Sequence, residues 1–204
     1  LDIPLSPDPA EARKMFDQHG FTFLFAPNHH PAMRHVVPHR KVLGFPTIFN
    51  LVGPLANPAD PPYQVIGLPS MERLFVMAEA AARLGRRRII LYSSEDGYDE
   101  VSTAAPTRCM DIQAEGVNEF AIHPAEFFSP RPMPEVRNAE EAELTFIRAI
   151  AGSDPDLTNL LAINAALALV CCGRADTMQD GFNMAKETLL SGQVSRYLKK
   201  LTVV

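Results

Sequence analysis

Cysteine is scarce in this chain. Cys109, Cys171 and Cys172 are the whole set, and no CxxC spacing occurs. Adjacent cysteines such as Cys171 and Cys172 rarely bridge each other, so the thiols read as reduced and buried, as in a cytoplasmic protein. Long apolar runs are missing as well, which gives no candidate for a bilayer span. The opening residues Leu1-Asp2-Ile3-Pro4 are neither basic nor a long apolar stretch, so no signal peptide is expected. Nor is there an excess of positive charge. Lys plus Arg number 19 against 24 Asp plus Glu, for a net charge of −5. That argues against a general nucleic-acid or membrane-surface binder, while leaving room for a local basic pocket. GxGxxG, the Walker A lysine loop, GxSxG and HExxH do not occur, and neither do internal repeats or low-complexity tracts.

What is present is an ordinary soluble balance, 47% hydrophobic and 21% charged, in 204 residues, enough for one well-buried domain. Asp8 or Pro9 starts a helix that Gly20 stops, and Phe21–Ala26 reads as a short buried strand. His30–Leu43 has helical spacing, with a kink or restart expected at Pro38. Thr47–Leu55 is helical and ends at Asn57-Pro58. Tyr63–Leu68 is a strand, Ser70 caps a helix running to Gly85, and Arg88–Tyr92 is a core strand. Thr107–Gln113 and Val117–His123 alternate as a hairpin across Ala114-Glu115-Gly116. A proline-rich surface crossing, 124–134, leads to helices at roughly Ala139–Ala151, Asp156–Cys172, Thr177–Ser191 and Gln193–Leu201, with Asp156 and Thr177 as caps. The expected fold is a single α/β domain over 1–204. Its sheet is mixed, mainly parallel and flanked by helices, and the C-terminal third is helical and packs Leu160, Leu161, Ile163, Leu167 and Val170 back onto the sheet.

Three constellations can carry chemistry. Asp96-Gly97-Tyr98-Asp99-Glu100 follows directly on the strand ending at Tyr92, where ligands gather in α/β folds. Three carboxylates in five residues repel one another unless a cation is present, and hard oxygens suit Mg²⁺ shared with a substrate phosphate. A solvated Asp-Gly turn is the plain alternative. His30, Met33, Val37 and Arg40 fall on one face of an ideal helix. Arg40 there either grips an anion over an apolar floor or merely snorkels to solvent. The four histidines His29, His30, His35 and His39 do not share a face, which argues against a zinc site. Gly53-Pro54 is either a close backbone approach to a ligand or a structural turn. Arg86-Arg87-Arg88 reads as a solvated helix–strand connection.

Taken together, several segments in order resemble anthranilate phosphoribosyltransferases: His30-Pro31-Ala32-Met33-Arg34-His35-Val36, Arg40-Lys41-Val42-Leu43-Gly44, Thr47-Ile48-Phe49-Asn50-Leu51-Val52-Gly53-Pro54-Leu55-Ala56-Asn57-Pro58, and Asp96-Gly97-Tyr98-Asp99-Glu100. Asn164-Ala165-Ala166 and Gly181 with Ala185 are weaker matches. The resemblance covers about Phe21 to Leu201. It implies a nucleoside phosphorylase/phosphoribosyltransferase-type domain that moves ribosyl-5-phosphate from phosphoribosyl diphosphate to the amine of anthranilate, the second committed step of tryptophan biosynthesis. In that frame Asp99 and Glu100 hold Mg²⁺ on the diphosphate, Arg40 receives the carboxylate of anthranilate, and His30 lines the aromatic substrate's channel. A parent enzyme that is a cytoplasmic homodimer is implied too.

The departures carry expectations of their own. The family's Gly-Thr-Gly-Gly-Asp loop and Lys-His-Gly-Asn-Arg segment do not occur here, and a counterpart of the small N-terminal helical domain is missing. On the resemblance the chain is expected to be truncated at its N-terminus, to hold half a diphosphate cradle, and to turn over negligibly by itself. Ser93-Ser94 stands where His-Gly is usual, His29 where an aromatic is common, and Phe128-Ser129 where a turn with glycine is found. Two other functions remain open on sequence: a same-fold phosphoribosyltransferase or phosphorylase with a different acceptor, against which Arg40 speaks, and a non-enzymatic nucleic-acid-binding homologue, against which the acidic charge speaks.

Overall fold

The computed structural model describes residues 3, 5, 8–30, 33–44 and 47–202, and of Met33, Arg34, Val37, Arg40 and Lys41 the backbone alone. They fall into two compact units, Leu1–Asp60 with Tyr197–Val204, and Pro61–Arg196.

The first unit is helical. Helix α1, Pro9–His19, opens on Asp8, whose carboxylate accepts from the backbone N–H groups of Ala10 and Glu11 at 2.8 and 3.0 Å. It closes on Gly20 at φ 70°, a left-handed conformation that glycine adopts freely. The Tyr197 hydroxyl donates to the carbonyl of His19 at 2.6 Å, satisfying one of the orphan groups of the helix end. The strand expected over 21–26 is not there. Residues 21–25 are irregular, helix α2 covers Ala26–His29, and Phe23 and Phe25 are 46% and 40% exposed. An apolar run becomes a strand only if a neighbour takes its backbone groups, and no strand among the described residues does so. Helix α3, Met33–Leu43, is not restarted at Pro38, and α4 spans Phe49–Leu55.

The second unit holds the sheet, in the order β1-β2-β3-β4. Strands β1, Tyr63–Gly67, and β2, Arg88–Ser94, run parallel, in register from Tyr63 opposite Arg88 to Gly67 opposite Tyr92. Helix α5, Met71–Ala82, makes the crossover and buries Leu74, Met77, Ala78 and Ala81, the one-face spacing of an amphipathic helix. Ser70 stands at its N-cap position, but its side chain makes no capping bond. Strands β3, Thr107–Gln113, and β4, Gly116–Ile122, add two antiparallel pairings, so the sheet is mixed. Ile89, Ile90 and Leu91 are at most 1% exposed, as a strand covered on both faces requires.

Helices α6, Ala139–Ile150, α7, Pro155–Cys171, and α8, Met178–Leu190, follow, and α9, Gln193–Thr202, is divided between the units. The cap of α7 is Asp154 rather than the expected Asp156, because Pro155 takes the first helical position and sets the start one residue earlier. Ile163, Leu167 and Val170 are buried as expected, while Leu160 and Leu161 are half-buried. Gly181 lets α8 close on α7: a Cβ there would come within 3.0 Å of the Ala166 carbonyl. The proline-rich crossing is anchored. Phe127 and Phe128 pack on Phe182 with ring centroids 5.5 and 5.8 Å apart, and Arg131 N–H donates to the Thr103 carbonyl at 3.0 Å.

The run Arg86-Arg87-Arg88 is a solvated connection only at Arg87, which is exposed, while Arg86 and Arg88 are half-buried. Arg86 bonds Gln64, the Arg87 guanidinium lies over the Tyr63 ring at 5.5 Å, and Arg88 makes a two-pronged pair with Asp111. The cysteines are free, and burial pushes the thiols of Cys109 and Cys171 upward. No helix among the described residues is long and apolar enough to cross a membrane.

Candidate functional site

The parallel pairing brings the carboxyl ends of β1 and β2 side by side, and the acidic loop leaves from there. Three anchors hold it. At its near end the Ser94 hydroxyl donates to the Tyr98 carbonyl and accepts from the Tyr98 N–H, both at 2.9 Å. Gly97 turns the chain at φ 88° with its N–H on the Ser94 carbonyl at 3.0 Å. In the middle, the Asp99 backbone lies directly on Gly67, the last residue of β1. A Cβ on Gly67 would stand 1.8 Å from the Asp99 carbonyl oxygen. At the far end Asn164 of α7 binds both backbone groups of Val101.

The three carboxylates of the loop do not act alike. Asp96 is committed to the fold: its Oδ2 accepts from the Ser102 hydroxyl at 2.7 Å, and the same hydroxyl accepts from Ala104 and Ala105 N–H. Asp99 and Glu100 are exposed, and neither carboxylate is engaged among the described residues. Partial desolvation, and then the neighbouring charge of Asp99, push the Glu100 carboxyl above its ordinary value. The half-buried Tyr92 hydroxyl beneath is pushed up to about 12 by burial, Glu100 and Asp99, so it stays a neutral phenol. Like charges held adjacent favour either a proton or a cation between them. Carboxylate oxygens are the donor chemistry that suits Mg²⁺. Among the described residues no three of His, Cys, Asp and Glu gather into a cage, so a cation here needs further oxygens from a ligand. A cavity of about 840 Å³ flanks the loop, lined by Tyr98 and Glu100 of the loop, Phe146 of α6, and Leu157, Leu161 and Asn164 of α7.

The other two expected site residues belong to the first unit. His30 stands at the end of α2, half-buried, its N–H on the Ala26 carbonyl at 3.0 Å. It is outside α3, so the one-face projection from His30 through Arg40 does not hold. His30 precedes Pro31, and a residue before proline is pushed out of the helical region, in keeping with its φ of −128° and ψ of 72°. Arg40 lies on α3, and its side chain is outside the described residues. Sequence reasoning missed Gly67, Tyr92, Ser94, Ser102 and Asn164 as parts of the site. Two had left a signal: Ser94 as a departure from the resembled pattern, and Asn164 as a match without a role.

A parallel strand pair that delivers an anchored acidic loop beyond its carboxyl ends, backed by packed helices, defines an α/β domain with a mixed sheet. Residues 1–195 match the glycosyl transferase family, a/b domain, and the chain belongs to that family. Its relatives are more particular. The chain is 38% identical over 205 residues to the anthranilate phosphoribosyltransferase of Geobacillus kaustophilus, covering 98% of this chain and 60% of that protein. It is similar to the crystal structure of anthranilate phosphoribosyltransferase from Thermus thermophilus, at TM-score 0.86 and 32% identity, over 98% of this chain and 60% of that one. The Saccharomyces cerevisiae enzyme in complex with PRPP and Mg shares the fold at TM-score 0.87 and 24% identity, over 98% and 59%. The chain thus spans about 60% of the length of the relatives it matches.

Proposed function

We propose that this chain supplies part of an anthranilate phosphoribosyltransferase site: phosphoribosyl diphosphate gives its ribosyl-5-phosphate to the amine of anthranilate and diphosphate departs. The observation that carries this reading is the pair Asp99–Glu100, anchored beyond the ends of β1 and β2 and with no partner for either carboxylate among the described residues, in a chain 38% identical to such an enzyme. Asp99 and Glu100 hold Mg²⁺, which when bound neutralises charge on the diphosphate. The chain's own work is positional. The Ser94, Gly67 and Asn164 anchors fix where the two carboxylates stand, so little reorganisation is needed when the charged ligand arrives. Arg40 takes the carboxylate of anthranilate and His30 borders the path of its ring.

Thermal melting tests the acidic pair directly. Inorganic diphosphate with Mg²⁺, at about a hundred times its Kd, is expected to stabilise the protein by about 2.7 kcal/mol, a rise in Tm of about 5–10 °C. Glu100→Gln should lose this response. The sign of the pH dependence follows from the raised Glu100 carboxyl. Without cation the folded state holds the proton more tightly than the unfolded chain, so stability falls as pH climbs from the ordinary glutamate value through the raised one. A cation displaces that proton, so the gain from Mg²⁺ and diphosphate should grow across the same window. An unchanged response in Glu100→Gln would count against the reading.

Anthranilate binding tests Arg40. Arg40→Ala is expected to weaken it by about 3 kcal/mol, about 100-fold, and Arg40→Lys by less, since lysine keeps the charge and loses the fork. Calorimetric titration of the three proteins is the measurement, and equal affinities would shift the acceptor away from a carboxylate.

A further inference from the structure

We propose that Asn164 is a positioning residue for Glu100, acting through the backbone of Val101. This inference rests on the cation–diphosphate reading of Asp99 and Glu100.

The geometry is specific to a carboxamide. Asn164 Oδ1 accepts from the Val101 N–H at 2.8 Å, while its Nδ2 donates to the Val101 carbonyl at 3.1 Å and to the Leu160 carbonyl one turn back at 2.9 Å. Both amide protons are used. Turning the amide over would set Nδ2 against the Val101 N–H and Oδ1 against two carbonyls, so its orientation is fixed by its partners. Asparagine is a poor residue for a helix interior, and here it stands in the middle of the 17-residue α7. Elsewhere in that helix the buried face is mainly apolar.

The place of the anchor gives it a function. Val101 and Ser102 are completely buried, whereas Glu100, one peptide earlier, is exposed and borders the same cavity as Asn164 and Tyr98. Two holds act upstream of Glu100, Ser94 on Tyr98 and Gly67 under the Asp99 backbone, and downstream Ser102 is tied by its hydroxyl to Asp96 and by its N–H to Thr107 Oγ1. Asn164 is the hold nearest to Glu100 on the downstream side, because it takes both backbone groups of the adjoining Val101. Without it, Asp99 keeps its seat and Ser102 keeps its bonds, while the peptide between Glu100 and Val101 loses the hold that sets its orientation. The separation of the two carboxylates would then no longer be set, and that separation decides whether one cation can be held by both.

The test is Mn²⁺ binding in the presence of inorganic diphosphate, followed by electron paramagnetic resonance on the 204-residue protein, at a temperature well below each variant's own Tm. Amide hydrogen exchange of residues 98–102 is followed in parallel. Asn164→Ala is expected to weaken Mn²⁺ about tenfold or more, as loss of a group that orients a metal ligand does, and to speed exchange at Val101. Asn164→Asp is nearly isosteric and keeps the acceptor, but turns carboxylate oxygen toward two carbonyls. It should weaken Mn²⁺ to a similar degree and decides the matter if the alanine variant does not fold. A lowered Tm with wild-type Mn²⁺ affinity in the folded variants would make Asn164 a packing residue only and overturn the inference. Glu100→Gln separates the two levels. If it binds Mn²⁺ as wild type does, the cation reading of the acidic pair fails, and the role of Asn164 fails with it.

Discussion

Gly67→Ala is expected to cost about 2–3 kcal/mol, a fall in Tm of about 5–10 °C, and to remove the response to Mg²⁺ and diphosphate. The new methyl carbon would lie 1.8 Å from the Asp99 carbonyl oxygen, 2.7 Å from its carbon and 3.2 Å from its Cα. These are backbone atoms, and no flexible side chain can swing aside to make room. The loop cannot simply lift either, since Tyr98 is bonded to Ser94 and Val101 to Asn164 on either side. Either β1 or Asp99 must move by about the deficit in van der Waals distance, more than 1 Å, and a displacement of that order at a charge-holding residue is enough to cost a hundredfold in function. Gly97→Ala is the informative control. Gly97 has φ 88° and open space around its Cα, so its cost is conformational alone, about 1 kcal/mol. Melting curves and Mn²⁺ titrations of the two variants should therefore rank Gly67 well above Gly97. The reverse order would mean that the loop is held by its own turn and not by the end of β1.

Much of the second unit was legible in the sequence because its signals are local. The apolar runs of β1 and β2, the one-face spacing of α5, the Ala114-Glu115 turn and the Thr177 cap each declare themselves within a few residues. The acidic loop was legible for the same reason, as an Asp-Gly turn directly after a buried strand. What failed depended on partners distant in the chain. Phe21–Ala26 has the composition of a strand, but composition does not supply a neighbour. The three arginines 86–88 look solvated in sequence, yet Tyr63, Gln64 and Asp111 lie more than twenty residues away and meet them only across the sheet.

The site was read less fully than the fold. Asp99 and Glu100 could be picked out, but not the withdrawal of Asp96, which depends on a hydroxyl six residues on. Gly67 gave no sign of its role, because a close approach between a strand end and a loop 32 residues later leaves no pattern in either segment. The resemblance carried information that periodicity could not. It marked Asn164 and Gly181 before either had a physical meaning. The first anchors Val101, and the second removes the side chain that would strike Ala166.

The second large effect is expected at Asp111. Its carboxylate takes Arg88 Nε at 2.9 Å and Nη2 at 2.7 Å, while Arg88 Nη1 donates to the Val170 carbonyl at 2.6 Å. Asp111 is 7% exposed. One guanidinium thus joins β2, β3 and the last turn of α7, where the helix end favours positive charge. The hydrogen bonds to Asp111, and its charge, hold the Arg88 guanidinium above its usual range against the opposing effect of burial. Asp111→Ala leaves that charge in place with its main partner gone, at an expected cost of about 3 kcal/mol, or about 6–12 °C in Tm. Arg88→Met with Asp111→Leu removes both charges and should recover most of the loss, since an apolar pair of similar volume avoids the desolvation that the ion pair must offset. Urea melts of Arg88→Met, Asp111→Leu and the double variant that combines them give the coupling directly. A double variant as unstable as the sum of the singles would show that the two side chains act independently. The pair also bears on the site: β2 delivers the acidic loop and α7 carries Asn164, so the bond that seats α7 on β2 governs how well the Val101 anchor meets its partner. Asp111→Ala should accordingly speed amide exchange at Val101, although neither of its oxygens touches the loop.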